Sequence, residues 1–195
     1  MPEFLRDGTG TGNLVKKDEQ GRLHTDSVAR TELQLSANFG RTWNIGTGNL
    51  TLTSANASAV MYLKNTGVKN LHIDLYVILA KASTGGSGDL IIEILRNPTG
   101  GTILDSPTSI TPTNMNFGSA AVPVADIYSG AEGDTLTGED DILRSKTTAD
   151  NRLLLGIFTV IPQGSSVGIR LTPPPSNTSM DVETVMEVFE EIVED

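Results

Sequence analysis

Three groups of residues in this chain could do chemistry. The first is the run LRDGTGTGNLVKKDEQGRLHT (Leu5–Thr25), with Gly8, Gly10 and Gly12 at alternate positions and Lys16 and Lys17 close behind. A glycine-rich loop followed by lysine can cradle phosphate on its backbone N–H groups, but it needs four residues between its glycines and then Gly-Lys-Ser/Thr. It also needs a strand before it and a helix after it. Here Asp18 follows the lysines, and only seven residues precede Gly8. The dinucleotide pattern G-x-G-x-x-G is not met either, and no βαβ unit surrounds the run. The nucleotide reading fails, which leaves an extended backbone segment.

The second group is the two histidines, His24 and His72. Neither has a second histidine at i+2 or i+4, so the spacing of a zinc site is missing. A hydrolase built from a serine, His72 and an aspartate is disfavoured, because no G-x-S-x-G elbow occurs and GGSG (85–88) reads as a turn. The third group is the acidic stretch GAEGDTLTGEDD, with Glu132, Asp134, Glu139, Asp140 and Asp141. Its oxygens suit calcium, but the spacing is not that of an EF-hand loop and a solvated acidic loop is the favoured reading. The chain has no cysteine, which removes disulfides, thiolate metal sites and cysteine nucleophiles. Sugar binding on β-domains relies on aromatic platforms; the one Trp, three Tyr and five Phe are scattered, and Trp43 is read as core. No catalytic residue, metal or cofactor is expected, and an enzyme is not.

The elements that would position these groups are strands. Residues 1–41 have no sustained apolar periodicity and read as an extended arm that cannot bury itself. From residue 42 to 195 the chain breaks into short β-type segments with turn signals between them. TWNIGTGNLTLTS (42–54) alternates around Gly-Thr-Gly as a hairpin would. AVMYLKNTGVKNLHIDLYVILAK (59–81) places two strands around the Asn-Thr-Gly turn. In the second of these, Leu71, Ile73, Leu75, Val77 and Leu79 are expected inside, with His72, Asp74 and Tyr76 outside. DLIIEILRN (89–97) and SVGIRLT (166–172) read as strands closed by prolines. RLLLGIFTVI (152–161) is apolar on both faces, which predicts the middle of a sheet or contact with a neighbouring subunit. Between Asp105 and Asp141 only Val122–Tyr128 looks strand-like, and a loop this long is expected to be functional or partner-bound. MDVETVMEVFEEIVED (180–195) fits a helical stripe by period, whereas its β-branched content and surroundings favour a closing strand; the strand is preferred. About nine short strands without a convincing interior helix predict an all-β sandwich, jelly-roll-like, behind an extended N-terminal arm.

Charge limits the partners. The net charge of −10 argues against general nucleic-acid binding, which needs a basic footprint. Residues 1–41 balance six basic against six acidic side chains, and residues 181–195 hold seven acids and no base. The apolar stretches are too short for a membrane span. MPEFLRDG has neither a basic n-region nor an apolar h-region, so no secretory signal is expected and the protein is expected to be soluble.

RDGTGTGNLVKKDEQGRLHTDSV (Arg6–Val28) resembles the leader of a group of tailed-bacteriophage virion proteins. In these an Asp-Gly-Thr-Gly run precedes a short variable part and an Arg-Leu-His-Thr-like segment. MYLKNTGVKNLHI (Met61–Ile73) resembles the strand-turn-strand that follows, so the likeness covers about the first 80 residues. The resemblance implies a head decoration or cement protein, a β-sandwich oligomer, often a trimer, seated on the capsid exterior and assembled in the host cytoplasm. It implies the major capsid protein and further copies of this chain as partners. On that reading the arm anchors the protein through Leu5, Arg6, Asp7, Gly8, Gly10, Gly12, Lys16, Lys17, Arg22, Leu23 and His24. Fully extended, the arm would reach roughly 135 Å. The alternative is a receptor- or glycan-binding head-fibre domain, with the 105–141 loops touching the host.

Overall fold

The computed structural model describes residues 5–6, 14–15, 31–53, 56–82, 88–148, 151–175 and 179–191. It divides into two units, residues 1–31 and 32–195. In the first, β1 (Leu5–Arg6) and β2 (Leu14–Val15) form a two-stranded antiparallel ladder, Leu5 opposite Val15 and Arg6 opposite Leu14.

The second unit opens with a helix that the sequence pattern did not announce, α1 (Glu32–Asn38). Ser36 is buried and its Oγ donates to the Glu190 carbonyl at 3.1 Å, while Arg41 N donates to the Ser36 carbonyl. These bonds tie α1 to the sandwich, so this unit starts at Glu32 rather than at residue 42. The strands follow as β3 (Thr42–Gly46), β4 (Leu50–Leu52), β5 (Ser58–Asn65), β6 (Leu71–Ala82) and β7 (Asp89–Arg96). After the short α2 (Thr102–Asp105) come β8 (Thr108–Ser109), β9 (Thr113–Asn114), β10 (Ala125–Ser129) and β11 (Asp140–Thr148). The chain ends with β12 (Asn151–Leu155), β13 (Thr159–Ile161), β14 (Ser166–Thr172) and β15 (Met180–Glu190).

Two antiparallel sheets pack as a sandwich, one ordered β12-β6-β15-β3-β9 with β13 and β4 alongside, the other β11-β7-β14-β5-β10-β8. With the peripheral β4, β8, β9, β10 and β13 set aside, the strands β3, β5, β6, β7, β11, β12, β14 and β15, counted one to eight, run 1-8-3-6 in the first sheet and 2-7-4-5 in the second. This interleaving is the jelly-roll arrangement. Trp43, Ile73, Tyr76 and Met186 from the first sheet meet Leu63, Ile92 and Ile169 from the second in one buried core.

The Asn-Thr-Gly turn stands where expected, though it carries the chain from one sheet to the other instead of closing a hairpin. Buried Asn65 holds it. Its Nδ2 donates to the Lys69 and Ile161 carbonyls, both at 2.8 Å, and its Oδ1 accepts from Gly67 N.

Three local expectations change. β3 and β4 do not pair with each other. Both lie along β15, Trp43 opposite Val188 and Leu52 opposite Met180, as one strand interrupted near Gly48. There Gly48 adopts φ 69, and Thr47 exchanges backbone and side-chain bonds with Thr184. In β6 a bulge leaves Asp74 without a partner on β15, since Glu187 faces Leu75 while Val188 faces Ile73. One extra residue reverses the alternation beyond it. Leu71 and Ile73 are inside as expected, but Tyr76, Ile78 and Ala80 take the inner positions next, and Leu75, Val77 and Leu79 are only partly covered. Finally, β12 is an edge strand, not a central one. The C-terminal segment is the preferred strand, at the centre of its sheet, and buries Met180, Val182, Thr184, Met186 and Val188. Hydrophobic pairing to two neighbours outweighs its helical periodicity.

Candidate functional site

Of the predicted anchoring residues, Leu5 and Arg6 lie in the β1–β2 ladder. Asp7, Gly8, Gly10, Gly12, Lys16, Lys17, Arg22, Leu23 and His24 lie outside the described residues.

The sandwich itself carries two apolar surfaces. One lies at the end where β5 passes to β6 and where α1 passes to β3. Phe39, Val68, Met115, Phe117, Val122 and Val124 are all exposed there, Phe117 at 96 % and Val68 at 84 %. Hydrogen bonds gather them. Asn116 Nδ2 donates to the Asn38 carbonyl at 3.1 Å, Met115 N to the Thr42 carbonyl and Gly67 N to the Val124 carbonyl, the last two at 2.9 Å. Buried Trp43 sends its Nε1–H to the Ala121 carbonyl at 2.9 Å, so the 115–124 loop is pinned to the core. Asn114 Nδ2 adds bonds to the carbonyls of Gly40 and Ala121. A phenylalanine held at the tip of a braced loop is unlike scattered surface apolar residues, which need no explanation. These residues escaped the sequence reading because isolated apolar positions in an Asn/Gly/Pro-rich loop have no period. The only available signal was their presence in a loop too long to be a mere connection.

The second surface follows the β12 edge. Leu154 stands opposite Val77, which stands opposite Val185, a transverse apolar row on the outer face of the sheet. Leu75, Val77, Leu79 and Val185 line a groove of about 400 Å3 with Arg152 and Glu187 at its borders. Phe158 and Val160 are exposed beside it, at 57 % and 45 %. Leu153, Leu155 and Ile157 pack against the core while Leu154, Phe158 and Val160 are exposed, and of the two expectations contact with a neighbouring subunit is the one still open. Burial, and secondarily the nearby Asp74, raises the Glu187 carboxyl above its usual range.

The chemically suggestive residues are used elsewhere. His72 is on the outward side of β6 as expected, yet it is buried between rings. It stacks on Phe189 at 4.9 Å and meets Phe158 at 5.4 Å, and neither ring nitrogen has a hydrogen-bond partner among the described residues. The acidic stretch is divided among separate partners. Glu132 accepts from Thr53, Asp134 from Ala131 N and Thr102 Oγ1, Glu139 pairs with Arg170, and Asp140 with Arg96. Arg170, whose pair with Glu139 binds the 130–139 loop to the outer face of β14, also reaches buried Glu93 on β7 at 2.8 Å. Among the described residues no group of three potential metal ligands converges. The aromatics are less scattered than they look in sequence: besides the His72 cluster, Tyr62 and Tyr128 stack at 5.8 Å.

No family model matches the chain, and no curated protein matches it. Among solved structures, the chain is similar to the N-terminal CBM22-1–GH10 modules of Clostridium thermocellum endo-1,4-β-D-xylanase 10B, complexed with xylohexaose. The identity is 9 % and the TM-score 0.30, over 80 % of this chain and 27 % of that one. It is also similar to the protein of infectious bursal virus-derived T=1 particles, at 10 % identity and TM-score 0.18, over 98 % of this chain and 45 % of that one. The VP2 subviral particle of infectious bursal disease virus gives 10 % and 0.18, with 47 % of its chain covered. This chain thus spans less than half of each, and likenesses at this level carry no argument about its activity.

Proposed function

We propose that this chain is a structural protein of a tailed-phage virion that decorates the capsid shell, held by its N-terminal arm and seated on the apolar end of its sandwich. One observation carries the reading. Six large apolar side chains are exposed on the segment after α1, the β5–β6 turn and the 115–124 loop, which hydrogen bonds hold together. Water-exposed apolar surface gains about 25 cal/mol per Å2 when covered, so an end shaped in this way favours a partner. Docking of the end and engagement of the arm then reinforce each other, because the second contact forms at high effective concentration once the first has formed. The β12 edge, with Leu154 and the adjoining groove, supplies the contact between copies, and a homotrimer is the expected assembly.

The test is co-sedimentation with capsid shells of the phage that encodes the protein, together with the mass in solution. The full chain should saturate shells and sediment as an oligomer. A chain lacking residues 1–30 should remain a folded β protein and lose shell binding. Full occupancy by the truncated chain, or a monomer that ignores shells, refutes the proposal.

A further inference from the structure

The outer face of the second sheet is only half covered. Ile103 of α2 and Leu136 of the 130–139 loop close one part of it over Tyr62 and Leu95. Gly168 makes this possible, since a Cβ there would lie 2.4 Å from Leu136 Cδ1. The other part remains open as a cleft of about 440 Å3, within the range of sites for small molecules, about 300–1,000 Å3.

Its floor is a pair of adjacent cross-strand rungs. Tyr128 on β10 faces Tyr62 on β5, their rings nearly parallel with an interplanar angle of 12°. On the next outward-facing rung, Asp126 faces Lys64. Asn97, Pro98, Leu104, Gly164 and Ser165 wall the cleft. The wall is built, not incidental. Asn97 is the one described non-glycine residue with positive φ, at 50, and its Oδ1 accepts from Ser166 N at 2.9 Å.

Two charged groups on the floor are uncommitted, whereas the Tyr62 hydroxyl is taken up by a hydrogen bond with Ser166. Side chains on directly opposed strand positions lie within reach of each other, yet Lys64 and Asp126 are in no ion pair and make no side-chain hydrogen bond among the described residues. The arginines and carboxylates on the rest of this face do pair: Arg170 with Glu93 and Glu139, and Arg144 with Glu93. A donor and an acceptor side by side match the alternating needs of two neighbouring hydroxyls, because each hydroxyl both donates and accepts. The tyrosines beside them supply an apolar ring and a polar tip. Only a ligand dense in hydroxyls on a compact apolar frame uses all of these at once.

We propose that this cleft binds a saccharide, with Asp126 accepting from one hydroxyl, Lys64 donating to its neighbour, and Tyr128 lying against the ring. This goes beyond shell attachment: it gives the decorated particle a means of holding carbohydrate. The 105–141 segment then contributes through Asp126 and Tyr128 on β10 rather than through its loop tips.

The test is titration of the full chain, followed by NMR and calorimetry, with lactose, cellobiose, chitobiose and sialyllactose, and with inorganic phosphate as a further probe. At least one saccharide should saturate with a Kd of about 1 mM or tighter, and phosphate should not compete with it. Lys64→Ala and Asp126→Ala should each weaken binding about tenfold or more, as expected for the loss of a hydrogen bond to a charged group, with unchanged thermal unfolding. Tyr128→Phe, which keeps the ring, should retain most of the affinity. The same variants should sediment with shells normally, which separates failure of the cleft from failure of the attachment reading. The proposal is overturned if no saccharide binds saturably, if binding survives in the Lys64→Ala/Asp126→Ala double variant, or if phosphate alone occupies the site.

Discussion

Replacing Phe117 by serine should separate attachment from folding. Phe117 is 96 % exposed, so its removal costs the folded domain almost nothing, within about 0.5 kcal/mol. In the seated particle its ring would be covered. An aromatic side chain buries about 150–250 Å2, which at about 25 cal/mol per Å2 is an upper value near 4–6 kcal/mol. Interfaces return less than their area implies, because ordering and imperfect desolvation take a share. A realistic loss for a centrally placed aromatic anchor is about 2 kcal/mol, or roughly 30-fold in affinity. The assay is co-sedimentation with shells across a concentration series, beside a thermal melt of the free protein. Phe117→Ser should move half-saturation up by roughly 30-fold and leave the melt in place, and Val122→Ser should act in the same direction with a smaller shift. Unchanged half-saturation with Phe117→Ser would refute the seating of this end on the shell. A large drop in melting temperature would instead mean that the ring supports the fold, contrary to its exposure.

Three further outcomes follow from groups whose surroundings are on the page. Burial pushes the Tyr76 hydroxyl, which hydrogen-bonds Thr159 Oγ1 at 3.1 Å, up to about 12. The stability tied to its neutral form is complete below pH 10 and disappears as pH rises through 12, about 3 kcal/mol in all; in Tyr76→Phe, alkaline unfolding monitored by circular dichroism should lose this component. Glu187 is raised by burial and by Asp74, so its protonated form favours the fold, with the benefit present below the ordinary glutamate value and lost as pH rises through the folded one. Glu187→Gln should therefore raise the melting temperature at pH 7 and give no gain below about pH 4. Arg170→Ala leaves Glu93, only 6 % exposed, with the more distant Arg144 at 3.6 Å. It should cost about 2–3 kcal/mol in urea unfolding, and adding Glu93→Gln should recover part of that loss.

Much of the sandwich is written in local patterns. Short segments rich in apolar and β-branched residues such as Asp89–Arg96 and Ser166–Thr172 become the inner strands β7 and β14. Asn65 and Gly67 specify their turn because a buried Asn side chain can satisfy three backbone groups there. The C-terminal strand was half legible: its period suggested a helix, and only its β-branched residues and the strands around it argued otherwise.

The remaining features depend on pairing across long separations. The bulge at Asp74 exists because β15 grips β6 on both sides of it, and that one unpaired residue exchanges Leu75 for Tyr76 at the core. No window of β6 alone contains this information, since register belongs to the pair of strands. The same holds for β4, which looked like the return arm of a hairpin until β15 offered a better partner. It holds equally for Tyr62 and Tyr128, 66 residues apart in sequence and stacked in space. By itself the sequence determined that this is a cysteine-free, largely β chain whose residues 1–41 balance their charges, because composition and alternation are local properties. The tertiary structure decided which end is apolar, which edge is open and which tyrosines share a cleft, because each requires two distant strands to choose the same register.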